Sequence, residues 1–250
     1  MTKIKLCELF GPTVEGEGKY IGVPFIVIRT SGCNLKCSFC DTRFSSHYDN
    51  DEQEYSKEEI LNYIKNNPCK NVSITGGEPF FRSKEELDAL YELCLDIKAL
   101  HPTGILKIET NVTLIDEKFL DVIDFWSMSP KLKGMGEGLW FSKDIIKKII
   151  AKSMNYQLKF VVGSRGKDGT MEEDLKVIKD LYDELNLKES LIILQPEGLT
   201  ENLREYLVRG EMLVERVVNS NKIDWDFWQN VNLQILPQWH RLLWNNSRRK

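Results

Sequence analysis

Long hydrophobic runs are absent from this 250-residue sequence. Its longest apolar stretches, such as residues 25–28, are far shorter than the roughly 20 residues that a membrane-spanning helix needs. No apolar segment of a secretory signal follows the N-terminus, and a net charge of −4 gives no basic excess for binding nucleic acid. Repeats and low-complexity tracts are also missing. Because 42% of the residues are hydrophobic, a disordered chain is excluded, and we expect a single cytoplasmic domain over residues 1–250 without nucleic-acid or membrane partners.

Cysteine is scarce, but three of the six cysteines lie within eight residues, at Cys33, Cys37 and Cys40. In a cytoplasmic chain this clustering indicates metal or redox chemistry rather than disulfides. A structural zinc site needs a fourth ligand, and a catalytic thiolate needs only one cysteine with a base. The third alternative is a 4Fe–4S cluster held at three corners, with one iron open to a ligand. The spacing alone leaves these alternatives open. Cys94 lies in a predicted helix, where we expect it to be buried.

Strand-like and helix-like segments alternate along the chain. Apolar and β-branched runs predict strands at residues 24–30, 71–75, 104–109, 125–129, 156–162, 191–195 and 232–236. The intervening patterns predict helices at residues 56–67, 83–100, 116–123, 142–153, 171–185 and 200–219, and capping boxes begin the first two, at Ser56 and Ser83. The alternation predicts an α/β fold with one parallel sheet of about six strands. An open doubly wound sheet and a partial barrel both fit, and both gather ligand-binding residues at the carboxyl ends of the strands.

Two motifs follow the first two predicted strands. The sequence Cys-x₃-Cys-x₂-Cys occupies residues 33–40, and Gly-Gly-Glu-Pro occupies residues 76–79. In this order they resemble the radical S-adenosylmethionine superfamily. The resemblance implies that the three cysteines hold a 4Fe–4S cluster whose open iron binds S-adenosylmethionine, with Phe39 near the adenine. It also implies that the Gly-Gly-Glu-Pro turn runs beside the methionine amino group, and two glycines do let a backbone approach a ligand closely.

A narrower resemblance extends over nearly the whole chain. The segment Phe-Gly-Pro-Thr-Val-Glu-Gly-Glu-Gly at residues 10–18 is its most specific part, and further matches lie at residues 40–42, 75–79, 108–110, 129–131, 195–196 and 236–244. These segments are similar to 7-carboxy-7-deazaguanine synthases. The resemblance implies a partial (β/α) barrel, a homodimer and a carbon-nitrogen lyase that requires Mg²⁺ and an external electron donor such as a flavodoxin. The implied reaction converts 6-carboxy-5,6,7,8-tetrahydropterin to 7-carboxy-7-deazaguanine with loss of ammonia, in queuosine-type deazapurine biosynthesis.

The same resemblance implies roles for individual residues. Substrate contacts are implied for Val14, Glu15, Gly16, Arg29, Thr75, Glu109 and Pro237. Contacts with S-adenosylmethionine are implied for Phe39, Cys40, Asp41, Gly77, Glu78, Thr110, Ser129, Pro130, Lys131 and Gln195. Thr42 is the implied ligand of Mg²⁺, and no residue is expected to act as an acid or base. The donor fork of Arg29 suits the substrate carboxylate, and Glu109 suits the N–H groups of the pterin.

Two positions depart from the family pattern. Glu15 stands where many relatives carry glutamine. The glutamate still offers a hydrogen-bond acceptor to the pterin. Asn111-Val112-Thr113 replaces a glycine-containing turn next to the implied cofactor site. His47 follows Thr42 closely, but a lone histidine in a polar loop is more often solvated than a metal ligand.

Two alternative functions remain compatible with the cysteine motif. A glycyl-radical-enzyme activase has the same cysteine spacing, but it must receive a protein loop rather than a small anion. A non-catalytic zinc-binding module needs a ligand beyond the three cysteines.

Overall fold

The computed structural model describes residues 2–46, 51–133, 140–163, 170–219, 222–245 and 247–248, so His47 lies outside the described residues. The strands of this part of the chain are β1 (Ile4–Val14), β2 (Pro24–Thr30), β3 (Gln53–Tyr55), β4 (Val72–Gly76), β5 (Leu106–Thr110), β6 (Phe125–Met128), β7 (Tyr156–Val162), β8 (Leu191–Pro196) and β9 (Leu233–Ile235). Its α-helices are α1 (Lys57–Lys65), α2 (Lys84–Leu100), α3 (Lys143–Lys152), α4 (Thr170–Glu184), α5 (Leu203–Val218), α6 (Lys222–Trp228) and α7 (Trp239–Trp244). None of the described helices is both long enough and apolar enough to cross a membrane.

The strands form one sheet in the order β3-β1-β2-β4-β5-β6-β7-β8-β9, and neighbouring strands from β2 onwards are parallel. A doubly wound sheet would reverse its strand order at a switch point, whereas this order simply rises from β2 to β9. Right-handed crossovers therefore put the connecting helices on one face of the sheet. The sheet wraps its other face inwards, which confirms the partial barrel.

The two faces of the parallel strands differ in chemistry. Ile28, Ile74 and Ile108 pair in register and belong to the apolar core under the helices. Successive strand residues point to opposite faces, so the alternate positions line the inner face, which we call the lumen. The polar lumen residues considered below are Arg29, Thr75, Lys107, Glu109, Ser127, Gln157, Lys159 and Gln195. The core therefore lies outside the barrel wall, and the lumen is left for polar function.

All the predicted strands are present, within a few residues of their expected bounds. Both predicted capping boxes are confirmed. The Ser56 and Ser83 side chains each accept a hydrogen bond from the amide three residues later, and the Glu59 and Glu86 side chains accept from the Ser56 and Ser83 amides. Cys94 is fully buried, as predicted. Residues 116–123 contain only a 3₁₀ segment, Glu117–Asp121, instead of a regular α-helix.

Four elements were not predicted: β1, β3, α6 and α7. β1 runs antiparallel to β2 and shifts register twice, once between Phe10 and Thr13 around Gly11, which has a φ of +125°. Such irregularities interrupt the alternation of apolar and polar residues by which strands are recognised. The helices α6 and α7 have seven and six residues, which is too short for a helical period to stand out.

Candidate active site

The cysteine loop, residues 33–40, follows β2 at the edge of the sheet where the parallel strands end. Cys37 is buried and the other two cysteines are half-buried; all three are free thiols. The Cys37 thiol interacts electrostatically with both Cys33 and Cys40, so the three sulfur atoms are neighbours. Burial raises the pKa of each thiol, that of Cys33 to about 11. Neutral thiols of this kind suit ligands that lose their protons on metal binding rather than an activated nucleophile.

Gly76 and Gly77 pack against the start of this loop. The Gly77 amide donates to the Thr30 carbonyl at 3.1 Å, and the Glu78 amide donates to the Gly32 carbonyl at 2.9 Å. A Cβ on Gly77 would lie 2.1 Å from the Gly32 oxygen, and Gly76 has a φ of +140°. Only glycine tolerates both conditions. The turn therefore holds the cysteine loop in place. Gly76 and Gly77 are needed for this packing within the protein.

Glu78 joins this turn to the end of β5. Its fully buried carboxylate accepts from the Thr110 hydroxyl at 2.8 Å, the Asn111 amide at 2.7 Å and the Phe80 amide at 3.2 Å. Burial raises the pKa of Glu78 to about 7, although these hydrogen bonds act in the opposite direction. Both carboxylate oxygens are used within the protein, so Glu78 shapes the predicted cofactor site by holding two strand ends together.

Val112 keeps the turn after β5 in a conformation that glycine adopts easily. Its φ is +55°, which is uncommon for a β-branched residue, and its side chain is fully buried. The Val112 amide donates to Thr110 Oγ1 at 3.1 Å, so its N–H is already used within the protein. Its carbonyl accepts from the Ser142 amide at 2.9 Å. Residues 111–113 thus place a non-glycine residue in a left-handed conformation, at the cost of local strain.

Two lysines cross the lumen. Lys107 of β5 contacts the Glu15 carboxylate, and Lys159 of β7 contacts both Glu17 and Glu109; both lysine side chains are almost fully buried. The Lys159 ammonium lies 2.5 Å from Glu109 Oε1. Burial raises the pKa of Glu109, but the positive charge of Lys159 opposes this effect. The net result is a pKa below the ordinary value of a glutamate, so the carboxylate is ionised.

These contacts hold an N-terminal segment, residues 15–19, against the lumen. Besides the two lysine pairs, the Lys19 amide donates to Gln157 Oε1 at 2.8 Å, and the Trp239 amide donates to the Gly16 carbonyl at 2.8 Å. A Cβ on Gly18 would lie 2.1 Å from the Gln157 side chain. The Glu-Gly-Glu-Gly motif therefore lies over the lumen as a segment attached to β5, β7 and the start of α7.

Arg29 lies in register with Thr75 on the lumen side of the sheet. Its Nε donates to Glu8 Oε2 at 2.9 Å, and Arg248 holds the other Glu8 oxygen at 2.9 Å. The terminal nitrogens of Arg29 have no hydrogen-bond partner among the described residues. Glu8 thus orients the guanidinium while its outer edge stays available for a bidentate anion.

Gln195 ends the lumen side of β8. The residue is fully buried, and neither its amide oxygen nor its amide nitrogen has a hydrogen-bond partner among the described residues. Unpaired buried amides are costly, so Gln195 is suited to a ligand that supplies both a donor and an acceptor. Two other residues predicted to contact the cofactor bind each other: Lys131 Nζ donates to Ser129 Oγ at 2.7 Å.

Behind the cysteine loop, Thr42 Oγ1 lies 3.8 Å from Cys40 Sγ. The adjacent Asp41 forms a group with Glu17 and His240 in which the side-chain ligand atoms lie within 4.8 Å of one another. Gln238 Nε2 donates to Glu17 at 2.7 Å and to Asp41 at 2.9 Å. Through Gln238, this group ties the N-terminal segment to the residue that directly follows the cysteine loop.

Several known proteins are similar to this chain. Residues 27–126 match the model of the Radical SAM superfamily. The 7-carboxy-7-deazaguanine synthase of Clostridium acetobutylicum is 32% identical, and the match covers 98% of each chain. The chain belongs to the 7-carboxy-7-deazaguanine synthase family. The synthase of Bacillus subtilis is 28% identical over 98% of each chain. The crystal structure of QueE from Escherichia coli has the same fold, with a TM-score of 0.64, 21% identity and 94% of each chain covered.

Membership of the 7-carboxy-7-deazaguanine synthase family makes this a radical S-adenosylmethionine enzyme, with a 4Fe–4S cluster and S-adenosylmethionine as cofactors. The three neighbouring thiols fit the cluster by their chemistry, and the unpaired Gln195 amide fits a cofactor with both donors and acceptors. The activase and the zinc module are not favoured. Among the predicted substrate residues, Arg29, Thr75 and Glu109 share the lumen, whereas Val14 lines a groove with Phe10, Pro24 and Trp244.

Sequence reasoning for this synthase missed several functional candidates, namely Glu8, Glu17, Lys107, Lys159 and Gln238. The two lysines carried a usable signal, because each is the only cation of its predicted strand. A lysine at such a position is almost never buried unless it is paired. Glu8 and Gln238 carried no such signal, since their partners lie in distant segments.

Proposed function

We propose that this chain converts 6-carboxy-5,6,7,8-tetrahydropterin to 7-carboxy-7-deazaguanine with loss of ammonia, for queuosine-type deazapurine biosynthesis. The observation that carries the proposal is a pair of charged groups in the lumen beside the cysteine loop. Arg29 has free guanidinium donors, and Glu109 has one oxygen, Oε2, with no hydrogen-bond partner among the described residues. A ligand with a carboxylate at one end and N–H donors at the other complements this pair.

The chain's own residues bind and orient such a ligand. Arg29, held by Glu8, binds its carboxylate, and Glu109 accepts hydrogen bonds from its ring N–H and amino groups. Thr75 lies in register with Arg29, where its hydroxyl can contact the ring. The N-terminal segment, residues 15–19, covers the lumen and limits access of water, which strengthens each charged contact.

The cofactor residues fit the same arrangement. Cys33, Cys37 and Cys40 would hold the 4Fe–4S cluster, and Gly77, Ser129-Pro130-Lys131 and Gln195 would contact S-adenosylmethionine. When bound and reduced, the cluster and S-adenosylmethionine supply the radical chemistry that the protein lacks. Thr42 offers Mg²⁺ one hard oxygen beside Cys40, and Mg²⁺ accepts a single protein oxygen when substrate and water complete its octahedron.

We also propose that the enzyme is a homodimer joined through α5. The helix exposes an apolar stripe formed by Leu203, Leu207, Val214 and Val218. If two copies pack antiparallel about a point between Gly210 and Glu211, Leu203 meets the partner's Val218 and Leu207 meets the partner's Val214. Exposed Arg204 then lies beside the partner's Glu215, which adds charge complementarity. Leu207→Glu should yield a monomer in analytical ultracentrifugation, and a dimer of unchanged dissociation constant would contradict this interface.

The remaining partners follow from the chemistry of the chain. Exposed Lys36 and Ser38 lie on the cysteine loop, so an external electron donor such as a flavodoxin can approach it.

All six cysteines are free thiols, as expected in the reducing cytoplasm. The one nine-stranded sheet of the described residues supports a single domain over residues 1–250.

Anaerobic incubation with a reductant, Mg²⁺, S-adenosylmethionine and carboxytetrahydropterin tests the function. Mass analysis should detect 7-carboxy-7-deazaguanine and released ammonia with wild-type protein and neither with Cys37→Ala. Turnover of S-adenosylmethionine without a deazapurine product would leave the superfamily assignment intact but contradict the proposed substrate. Zinc in place of iron and sulfide in the purified protein would contradict both.

A further inference from the structure

We propose that Lys159 is a positioning residue for the substrate, because its ammonium joins Glu17 of the N-terminal segment to Glu109 of β5 and leaves one Glu109 oxygen facing the ligand. This inference rests on the proposed function, since it concerns how the same lumen orients its pterin. No contact between Lys159 and the substrate is needed for this role.

Lys159 lies in a series of side-chain contacts that runs from Gln238 through Glu17 to Glu109. Gln238 Nε2 donates to Glu17 Oε1 at 2.7 Å, and Lys159 contacts Glu17 Oε2, so both Glu17 oxygens are engaged. The same ammonium lies 2.5 Å from Glu109 Oε1. Only Oε2 of Glu109 then remains, and it has no hydrogen-bond partner in the part of the chain that the structure describes. The carboxylate is thus held at one oxygen and presented at the other.

The strand register explains why a lysine stands at this position. Glu109 pairs with Ser127, and Ser127 pairs with Gln157, so these three residues lie at one level of the barrel. Lys159 lies two residues further along β7 and must reach across β6 to β5. Two strand spacings are roughly 10 Å, a span that suits a long flexible side chain with a point charge at its end.

The charge of Lys159 also sets the ionisation of Glu109. The charged groups that face Glu109 are Lys159 from β7, Glu17 from the N-terminal segment and Lys107 from β5, and His240 faces Glu17. Burial and the Glu17 charge both raise the pKa of Glu109, and Lys159 and Lys107 lower it. Without Lys159, two partly buried carboxylates would face each other, which favours protonation of one of them. A protonated Glu109 carries an O–H donor and is a weaker acceptor for two N–H donors.

Lys107 provides a matched control. It is another almost fully buried lumen lysine, two residues from Glu109 on the same strand, but its ion pair is with Glu15. Loss of either lysine removes a buried cation and leaves a carboxylate without its partner. Only loss of Lys159 removes the direct contact with Glu109.

The experiment measures the dissociation constant of carboxytetrahydropterin between about pH 5.5 and pH 8.5, with that of S-adenosylmethionine in parallel, on anaerobic holoenzyme. A carboxyl group accepts from N–H donors most strongly when it is ionised, at a pH above its pKa. Lys159→Met should raise that pKa, so pterin binding should weaken at least about tenfold at the acidic end and recover towards the alkaline end. Lys159→Arg should restore the wild-type profile. Lys107→Met should weaken binding but move the pH at which binding is lost less than Lys159→Met does, because Lys107 has no direct contact with Glu109.

Two further variants keep the inference falsifiable. Glu17→Gln/Lys159→Met removes an anion and a cation together, so it protects folding. Burial alone still raises the pKa of Glu109 in this variant, so it should show an alkaline shift that is smaller than that of Lys159→Met. In a Glu109→Gln background, Lys159→Met should cause no additional loss of pterin affinity. An equal loss at every pH, or additive losses in the double variant, would mean that Lys159 is merely structural. Wild-type protein that binds S-adenosylmethionine but no pterin would overturn the proposed function and this role with it.

Discussion

The two ends of the site are built differently. At the cofactor end, the cysteine loop, the turn at residues 76–79 and the turn after β5 contact one another largely through backbone groups, such as the Glu78 amide and the Gly32 carbonyl. At the substrate end, long charged side chains meet from residues far apart in sequence, as Lys159 meets Glu17 across 142 positions. A backbone-built region tolerates few substitutions, whereas a region built from side chains can change its ligand by changing single residues.

Loss of a cluster ligand should have the largest effect. Cys37→Ala removes the buried cysteine of the loop, and we expect complete loss of iron–sulfur content and of S-adenosylmethionine cleavage, measured by iron and sulfide analysis and by chromatography. Cys69→Ala is the matched control, because Cys69 is half-buried and its thiol donates to the Pro24 carbonyl, away from the loop. Unchanged iron content in Cys37→Ala would exclude it as a ligand.

Gly77→Ala should disrupt the cofactor end by displacing the backbone of the cysteine loop, without removing any side chain. Its Cβ would meet the Gly32 carbonyl, which cannot move without moving the cysteine loop. We expect affinity for S-adenosylmethionine to fall more than about tenfold in equilibrium binding. Gly22→Ala is the control: Gly22 has a φ of +82° with nothing nearby, so it should cost about 1 kcal/mol of stability and leave cofactor affinity alone. Equal cofactor affinities in the two variants would contradict the backbone explanation.

Arg29→Lys should affect the substrate end alone. A lysine ammonium cannot both hold Glu8 and offer a bidentate fork to a carboxylate. Loss of charge-assisted hydrogen bonds costs about 1.5–3 kcal/mol, so pterin affinity in calorimetry should fall tenfold or more, with S-adenosylmethionine affinity unchanged. A wild-type pterin dissociation constant would limit Arg29 to its ion pair with Glu8.

Thr42→Val should have the smallest effect, because it removes one metal-ligand oxygen and preserves the shape of the side chain. Cleavage of S-adenosylmethionine should survive, and product formation should need more Mg²⁺. Thr42→Ser keeps the oxygen and should behave almost as wild type. An identical Mg²⁺ titration for the Val variant would show that the metal is bound elsewhere or is not required.

The same contrast explains what the sequence could reveal. The cofactor end was recognisable because its parts are contiguous motifs, and the parallel strands were recognisable from short apolar runs such as β4 and β8. The substrate end was only partly recognisable. Arg29 and Glu109 were identified by resemblance, but the sequence pairs neither with Glu8 nor with Lys159. Those contacts depend on the antiparallel β1 and on curvature of the sheet, and neither leaves a local pattern.

The most direct test of the two-ended account compares both ligands on a single variant. Glu109→Gln keeps the size of the side chain and removes the charge that Lys159 holds. We predict that the dissociation constant for carboxytetrahydropterin rises at least about tenfold, while that for S-adenosylmethionine and the iron content equal those of wild type. Unchanged pterin affinity, or parallel loss of both ligands, would contradict separate cofactor and substrate ends.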